Sequence, residues 1–255
     1  MKKIYITFLL LGTLLPFISR GQTSSGTFTE EFRSKSKLNE RNTFAVVNTT
    51  AQSVTLPRRY GFTNHAKGLE ASFKRASVTA IAHDGDSVMV GGSNGALALV
   101  GQTSSVEDLT GLLAGKSKRI NAIGFAEEAG FWLIGGEPVR RSDGALLAKL
   151  VPGGLKSEDL QALTKEIGMD TVTDISCMKD GCLLAGTPEK LAFYDGGALL
   201  DLSATEGFAA HDPIRVASNG VVWFIAATAK TVDSNKKTVY PVVGYTYDGK
   251  SLRPV

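Results

Sequence analysis

Four polar residues, Thr79, Asn121, Thr173 and Arg215, recur along the 255-residue chain at intervals of 42, 52 and 42, each one place inside an apolar run. So regular a spacing marks one register of a repeated unit, and a ring of such groups at the mouth of a channel is a site for a ligand or for ordered water. Hydrolytic chemistry asks for more than this. A glycosidase needs two acids at a defined separation, and near this register the sequence offers Asp174, with Asp170 or Asp212 as the second carboxyl. Arg140 and Arg141, in a loop between two apolar stretches, add cationic groups to the same end of the repeats. His65, His83 and His211 are scattered, and His83 reads as a solvated turn residue. No Ser-His-Asp order, glycine-rich phosphate loop or metal-ligand cluster stands out, so neither cofactor nor metal is expected.

The two cysteines sit together in Cys177-Met178-Lys179-Asp180-Gly181-Cys182. With Lys179-Asp180 as a two-residue turn, Met178 and Gly181 close it and the cysteines face each other as a non-hydrogen-bonded pair, about 4.5 Å apart at Cα. That separation suits a disulfide. A three-residue turn with Gly181 as a bulge breaks the register and leaves free thiols. The spacing is not that of a CxxC redox pair, and zinc lacks further ligands.

What must position these residues is a pattern found four times, beginning at Val78, Ile120, Val172 and Ile214. The copies read VTAIAHDGDSVMVGG, INAIGFAEEAGFWLIGG, VTDISCMKDGCLLAGT and IRVASNGVVWFIAAT, each an apolar strand, a polar turn and a second apolar strand. Repeats of this length built from short strands define an all-β β-propeller of four blades over residues 78–255. In the third copy the strands fall at Thr173 to Cys177, Cys182 to Ala185, Leu191 to Tyr194 and Leu199 to Leu202; in the fourth at Arg215 to Ala217, Val222 to Ala227, Val239 to Tyr247 and Leu252 to Val255. Tyr194-Asp195-Gly196 and Tyr247-Asp248-Gly249 then occupy equivalent turns. Ser157 to Gly168 is an insertion in which Leu160, Leu163 and Ile167 share a helical face, predicting a short covering helix. Residues 43–77 form an N-terminal β segment whose runs TFAVVNTT and SVTLP, with Leu69 to Phe73, make a partial fifth blade.

The doublets Gly91-Gly92 and Gly135-Gly136 that end second strands resemble kelch-type repeats, and Trp-Leu-Ile-Gly-Gly followed by Asp-Gly-Ala-Leu is similar to other bacterial propeller repeats. The resemblance spans about 78–255 and implies the fold. Trp132 and Trp223 lie in second strands, the kelch tyrosine and tryptophan after the doublet are not regularly kept, and no repeat ends in the Trp-Asp pair of WD40 blades.

Residues 1–21 set Lys2 and Lys3 ahead of the apolar run Ile4 to Ser19, the layout of a secretory signal peptide cut after Gly21; an uncleaved anchor is the other reading. Residues 22–42 form a polar leader. Lys2, Lys3 and Arg20 account for the whole net charge of +3, so the mature chain is neutral and its composition argues against nucleic-acid binding. No second apolar stretch is long enough to span a membrane after cleavage. The expected protein is therefore exported, to the periplasm, the cell surface or the medium, and binds a protein or polysaccharide through its loops without being an enzyme. The alternatives are an extracytoplasmic carbohydrate-active enzyme with acids at the channel mouth, and a structural assembly domain whose incomplete ring pairs with another chain.

The two ends of the repeats differ in charge. Loops entering the inner strands and those between second and third strands are mixed but locally basic, whereas the opposite turns carry Asp84, Asp86, Glu127, Glu128, Asp180, Asp195 and Asp248 against Lys179 and Lys250. Such asymmetry orients a protein toward charged partners, although Asp is also what tight turns require.

Overall fold

The computed structural model describes residues 46–48, 53–58, 61–64, 73, 76–101, 105–152 and 156–255. The expected signal segment and leader lie outside the described residues, as do 69–72 of the expected strand ending at Phe73, which itself sits in a turn. Alternating apolar residues punctuated by turn-forming Asp and Gly give four antiparallel sheets of four strands each, every one following chain order from inner to outer strand. The first blade is Val78–His83, Ser87–Gly92, Leu97–Gly101 and Val106–Asp108. The second is Ser117–Ala126, Phe131–Pro138, Leu146–Val151 and Lys156–Asp159. The third is Thr171–Met178, Gly181–Thr187, Lys190–Tyr194 and Leu199–Asp201. The fourth is His211–Ser218, Trp223–Thr228, Val242–Tyr247 and Leu252–Pro254. Consecutive inner strands pack side by side, first on second, second on third and third on fourth, so the blades follow one another in an arc.

Three details depart from the sequence-based expectation. Ser157–Asp159 belongs to the outer strand of the second blade, and the helix α1 covers only Gln161–Glu166, because Leu160 turns out of the strand with its N–H bonded to Leu147. The third strand of the last blade begins at Val242, and Thr231–Val232 pairs with Thr238–Val239 as a separate hairpin. N-terminal strands Val46–Asn48 and Ser53–Arg58, which fall on the TFAVVNTT and SVTLP runs, pair with each other, and Gly61–Asn64 adds a third strand not expected from the sequence.

The core lies between blades. Ile120, Ile123 and Trp132 of the second blade pack with Met89 and Leu97 of the first; Val172, Ile175 and Leu184 pack with Phe131, Leu133 and Leu147; Trp223, Ile225 and Tyr247 pack with Leu183, Ala185 and Leu191. The glycine doublets find their reason here. A Cβ on Gly91 lands 2.5 Å from Ile120 Cγ2, and one on Gly135 2.5 Å from Val172 Cγ1, so the first glycine lets the next blade's inner strand approach. The second glycine points to the other face: a Cβ on Gly136 would collide with the Arg119 carbonyl of its own blade, and one on Gly92 would meet the Phe73 ring and the Ser77 carbonyl, each at 2.7 Å.

Cys177 and Cys182 are directly paired across the Lys179-Asp180 turn and joined by a disulfide, with Cα atoms 4.0 Å apart. Its sulfur packs against Gly124 of the second blade, where any Cβ would collide with Cys177 Sγ. A five-residue separation removes little entropy from the unfolded chain. Replacing both cysteines by alanine is expected to lower unfolding free energy by no more than about 2 kcal/mol, readable by urea titration in oxidising and reducing buffer; a loss of folding would show that the bridge acts beyond its own hairpin.

Candidate functional site

In the first three blades the polar register residue falls at a break in the strand ladder. The inner strands shift register between Val78 and Ala80, Ile120 and Ala122, and Val172 and Asp174, leaving Thr79, Asn121 and Thr173 as the extra residues of β-bulges. The freed side chains bond to main chain. Thr79 Oγ1 donates to the Ile120 carbonyl of the second blade, Asn121 Nδ2 donates to the Val172 carbonyl of the third at 2.9 Å, and Thr173 Oγ1 donates to Ala185 of its own blade at 3.2 Å. The third blade reaches the fourth through Asp174, whose two oxygens accept the N–H groups of Ile175 and Val216, each at 3.1 Å. Arg215, at the same register, is exposed and donates to the neighbouring Ile214 carbonyl at 3.0 Å. Four of these five residues thus act in blade-to-blade or within-blade links.

Burial pushes the Asp174 carboxyl above its ordinary value of 3.8, against the opposing pull of the Val216 N–H, the Arg215 charge and the Ile175 N–H. A raised folded-state pKa contributes stability that is complete below the ordinary value and lost as pH rises through the raised one. Asp174→Asn keeps an acceptor for Val216 and removes the charge. Its midpoint of thermal unfolding at pH 7 is expected to equal or exceed that of the parent, with a flatter pH dependence above pH ~4; Asp174→Ala, which strands the Val216 N–H, is expected to cost about 1–3 kcal/mol. A lower midpoint for Asp174→Asn would count against the burial argument. The other two acids do not join it in a hydrogen-bonded pair: Asp212 accepts the Glu189 N–H at 3.0 Å, and Asp170 is exposed.

At the same end, Arg140 precedes and Arg141 opens a short 3-10 helix, Arg141–Asp143, and both are exposed. The expected basic character is partly neutralised. Lys116 pairs with Asp159 at 2.8 Å and Lys118 with Glu137 at 2.7 Å, across largely exposed ion pairs of small energetic weight. His211 pairs with Glu189. His83 differs from the expected solvated histidine, since it ends the first inner strand half-buried and burial lowers its pKa.

The opposite end holds the more developed surface. Asp84, Asp195, Asn219 and Asp248 each accept two main-chain N–H groups two and three residues on, the Asx geometry that fixes these turns. Those bonds, from Ala198 and Gly197 in one case and from Ser251 and Lys250 in the other, hold Asp195 and Asp248 below the ordinary carboxyl range, so both are anionic at neutral pH. Between the third and fourth blades the turns border a groove of about 370 Å³. Its rim carries Asp180, Asp195 and Asp248 with Lys179 and Lys250, and its apolar wall is Met178, Phe193, Val221 and Trp223. Trp223 is buried, its Nε1 donating to Ser176 at 2.8 Å, and its ring centroid lies 5.4 Å from Phe193 and 5.8 Å from Tyr247. The floor is therefore a packed aromatic cluster, while Val221 stands out from the lip at 75% exposure. The acidic turns were visible in the sequence, but the groove was not, because it needs strands from two blades. The repeated Tyr-Asp-Gly at Tyr194 and Tyr247 was the available sign of matching turns. Among the described residues no group of three or more His, Cys, Asp and Glu is placed to hold a metal.

No family model and no curated protein matches the chain. Solved structures share the fold. The WD40 domain of Pan2 from Neurospora crassa matches at 11% identity and a TM-score of 0.50 over 80% of this chain and 62% of that one. An ancestral GH74 enzyme matches at 11% and 0.50 over 82% and 32% respectively, and the computationally designed Ika8 protein at 12% and 0.48 over 80% and 71%. The chain spans less than two thirds of the Pan2 domain and about one third of the GH74 chain. With the four-stranded sheets and their serial packing, the likenesses to the Pan2 domain and to the GH74 enzyme define an all-β, propeller-like protein. Among the described residues no helix is long and apolar enough to cross a membrane.

Proposed function

We propose that this protein is an exported, non-enzymatic binding module whose ligand is a protein or a polysaccharide, and that the groove between the third and fourth blades is where it binds. The groove carries the reading: a fixed aromatic and aliphatic wall offers apolar contact, and anionic turns beside it select groups that bring positive charge or hydrogen-bond donors. A protein segment with a lysine or arginine next to an apolar side chain satisfies both halves. Export is supported by the sequence of residues 1–21 and by the disulfide, which belongs to an oxidising compartment. The polar residues Thr79, Asn121, Thr173 and Arg215 with Arg140 and Arg141 form a second, smaller contact region at the other end, and residues 43–77 are an N-terminal β segment that supplies a partial blade.

The test is a screen of the mature chain against arrays of extracellular proteins and of glycans, repeated with Val221→Glu and Asp180→Lys. Both residues are exposed, so stability is expected to hold while affinity for the selected ligand falls at least tenfold. Binding unchanged by either substitution removes the groove from the proposal. Turnover of a glycoside, lost on Asp174→Asn, would instead favour the carbohydrate-active enzyme.

A further inference from the structure

Every blade but the last buries both faces. In the third blade Leu183 and Ala185 point toward the fourth and are fully buried beneath it. Cross-strand register places Phe224 and Ala226 of the fourth blade at the matching positions, since Cys182 pairs with Tyr194 as Trp223 pairs with Tyr247. Yet Phe224 is 37% exposed, and Ala217, Ala226 and Arg215 around it are exposed as well. At the other end of the arc, the first blade's outward residues Val78, Val88, Val90 and Ala98 are buried with Phe73 and Ala76 packed against them. The arc thus ends covered on one side and bare on the other.

Arg215 says what kind of surface is missing. Thr79 and Asn121, at its register, each donate to a main-chain carbonyl on the next inner strand, whereas Arg215 donates within its own strand, to Ile214, and its charge acts back on Asp174 of the third blade. A further blade would present such a carbonyl.

We propose that the three-stranded sheet of Val46–Asn48, Ser53–Arg58 and Gly61–Asn64 seats on this face as a fifth blade, closing the ring between the fourth blade and the first, with Arg215 donating to its main chain. The sheet has the blade's own connectivity, three antiparallel strands in chain order. It precedes the first blade, and in a closed ring the element before the first blade is the neighbour of the last. Residues 65–77 allow the passage, since 13 residues reach up to about 43 Å. Small side chains at Ala217, Ala226 and Gly244 give the close approach that glycines give between other blades. The inference is independent of what the groove binds.

The experiment places the photo-crosslinking residue p-benzoylphenylalanine at position 224 of the full chain, irradiates at two protein concentrations tenfold apart, and maps products by mass spectrometry. An intramolecular crosslink into residues 46–64, unchanged by dilution, is expected. A crosslink to a second copy that weakens on dilution, to any other segment, or none at all overturns the proposal. In parallel, Phe224→Glu is expected to lower the Tm by at least roughly 2–4 °C, the shift that losing a buried contact gives in a domain of this size. An unchanged Tm would show the face to be solvent-exposed.

Discussion

Trp223→Ala lowers the unfolding free energy by about 3–5 kcal/mol, the cost of emptying a large aromatic site in a packed core. Trp223 is only 2% exposed. Its ring lies against Phe193 of the third blade and Tyr247 of its own, and its Nε1 hydrogen bond to Ser176 crosses the blade boundary. Truncation therefore opens a cavity and leaves a carbonyl without its donor, and neither neighbour can collapse far because both are held in strand ladders. Urea titration followed by tyrosine fluorescence or circular dichroism measures the effect. Trp223→Phe, which restores most of the ring volume but not the donor, should recover more than half of it. A loss below about 0.5 kcal/mol for the alanine variant, the range of surface substitutions, would mean that the third and fourth blades are not packed as described.

Gly135→Val is expected to cost about 3 kcal/mol or more, at the upper end of what overpacking does. The first carbon alone arrives 2.8 Å from Val172 Cβ and 2.9 Å from Ile175 Cδ1, both on the inner strand of the next blade, and valine brings two further methyls to the same place. Relief requires the second and third blades to move apart, which also stretches the Asn121 bond to Val172. Val221→Ala, at an exposed lip, serves as the control and should change stability by less than about 0.5 kcal/mol. Gly135→Val within that same small range would show that the doublet is a turn feature rather than a device for blade contact.

The repeats were legible because a blade is mostly local: two apolar strands, a turn rich in Asp and Gly, and a glycine or alanine where the neighbour approaches. Hairpin register around Cys177 and Cys182 could be derived from two turn residues, since nothing distant decides it. The role of the polar register was not legible. Thr79 and Asn121 sit at bulges, and a bulge adds one residue without disturbing the alternation on either side enough to be seen in a short strand. The sequence extends the helix back to Ser157 because Ser157–Asp159 is polar, as an outer strand facing solvent is allowed to be, and its pairing with Ala148–Leu150 is invisible without the sheet. Likewise the groove joins Asp195 to Asp248 across 53 residues of chain, and only the packing of two blades brings such residues to one rim.

The disulfide closes a hairpin whose two cysteines are five residues apart, and this bears on the order in which the molecule is made. A chain that emerges N-terminus first exposes Cys177 and Cys182 within moments of each other, with the fourth blade still to come. Oxidation need not wait for a distant partner, and with no other cysteine in the sequence there is no wrong partner within the chain to choose. Wherever the chain meets an oxidant, the bond can therefore be set as soon as this hairpin forms, giving the third blade a fixed hairpin before the fourth blade is packed against it.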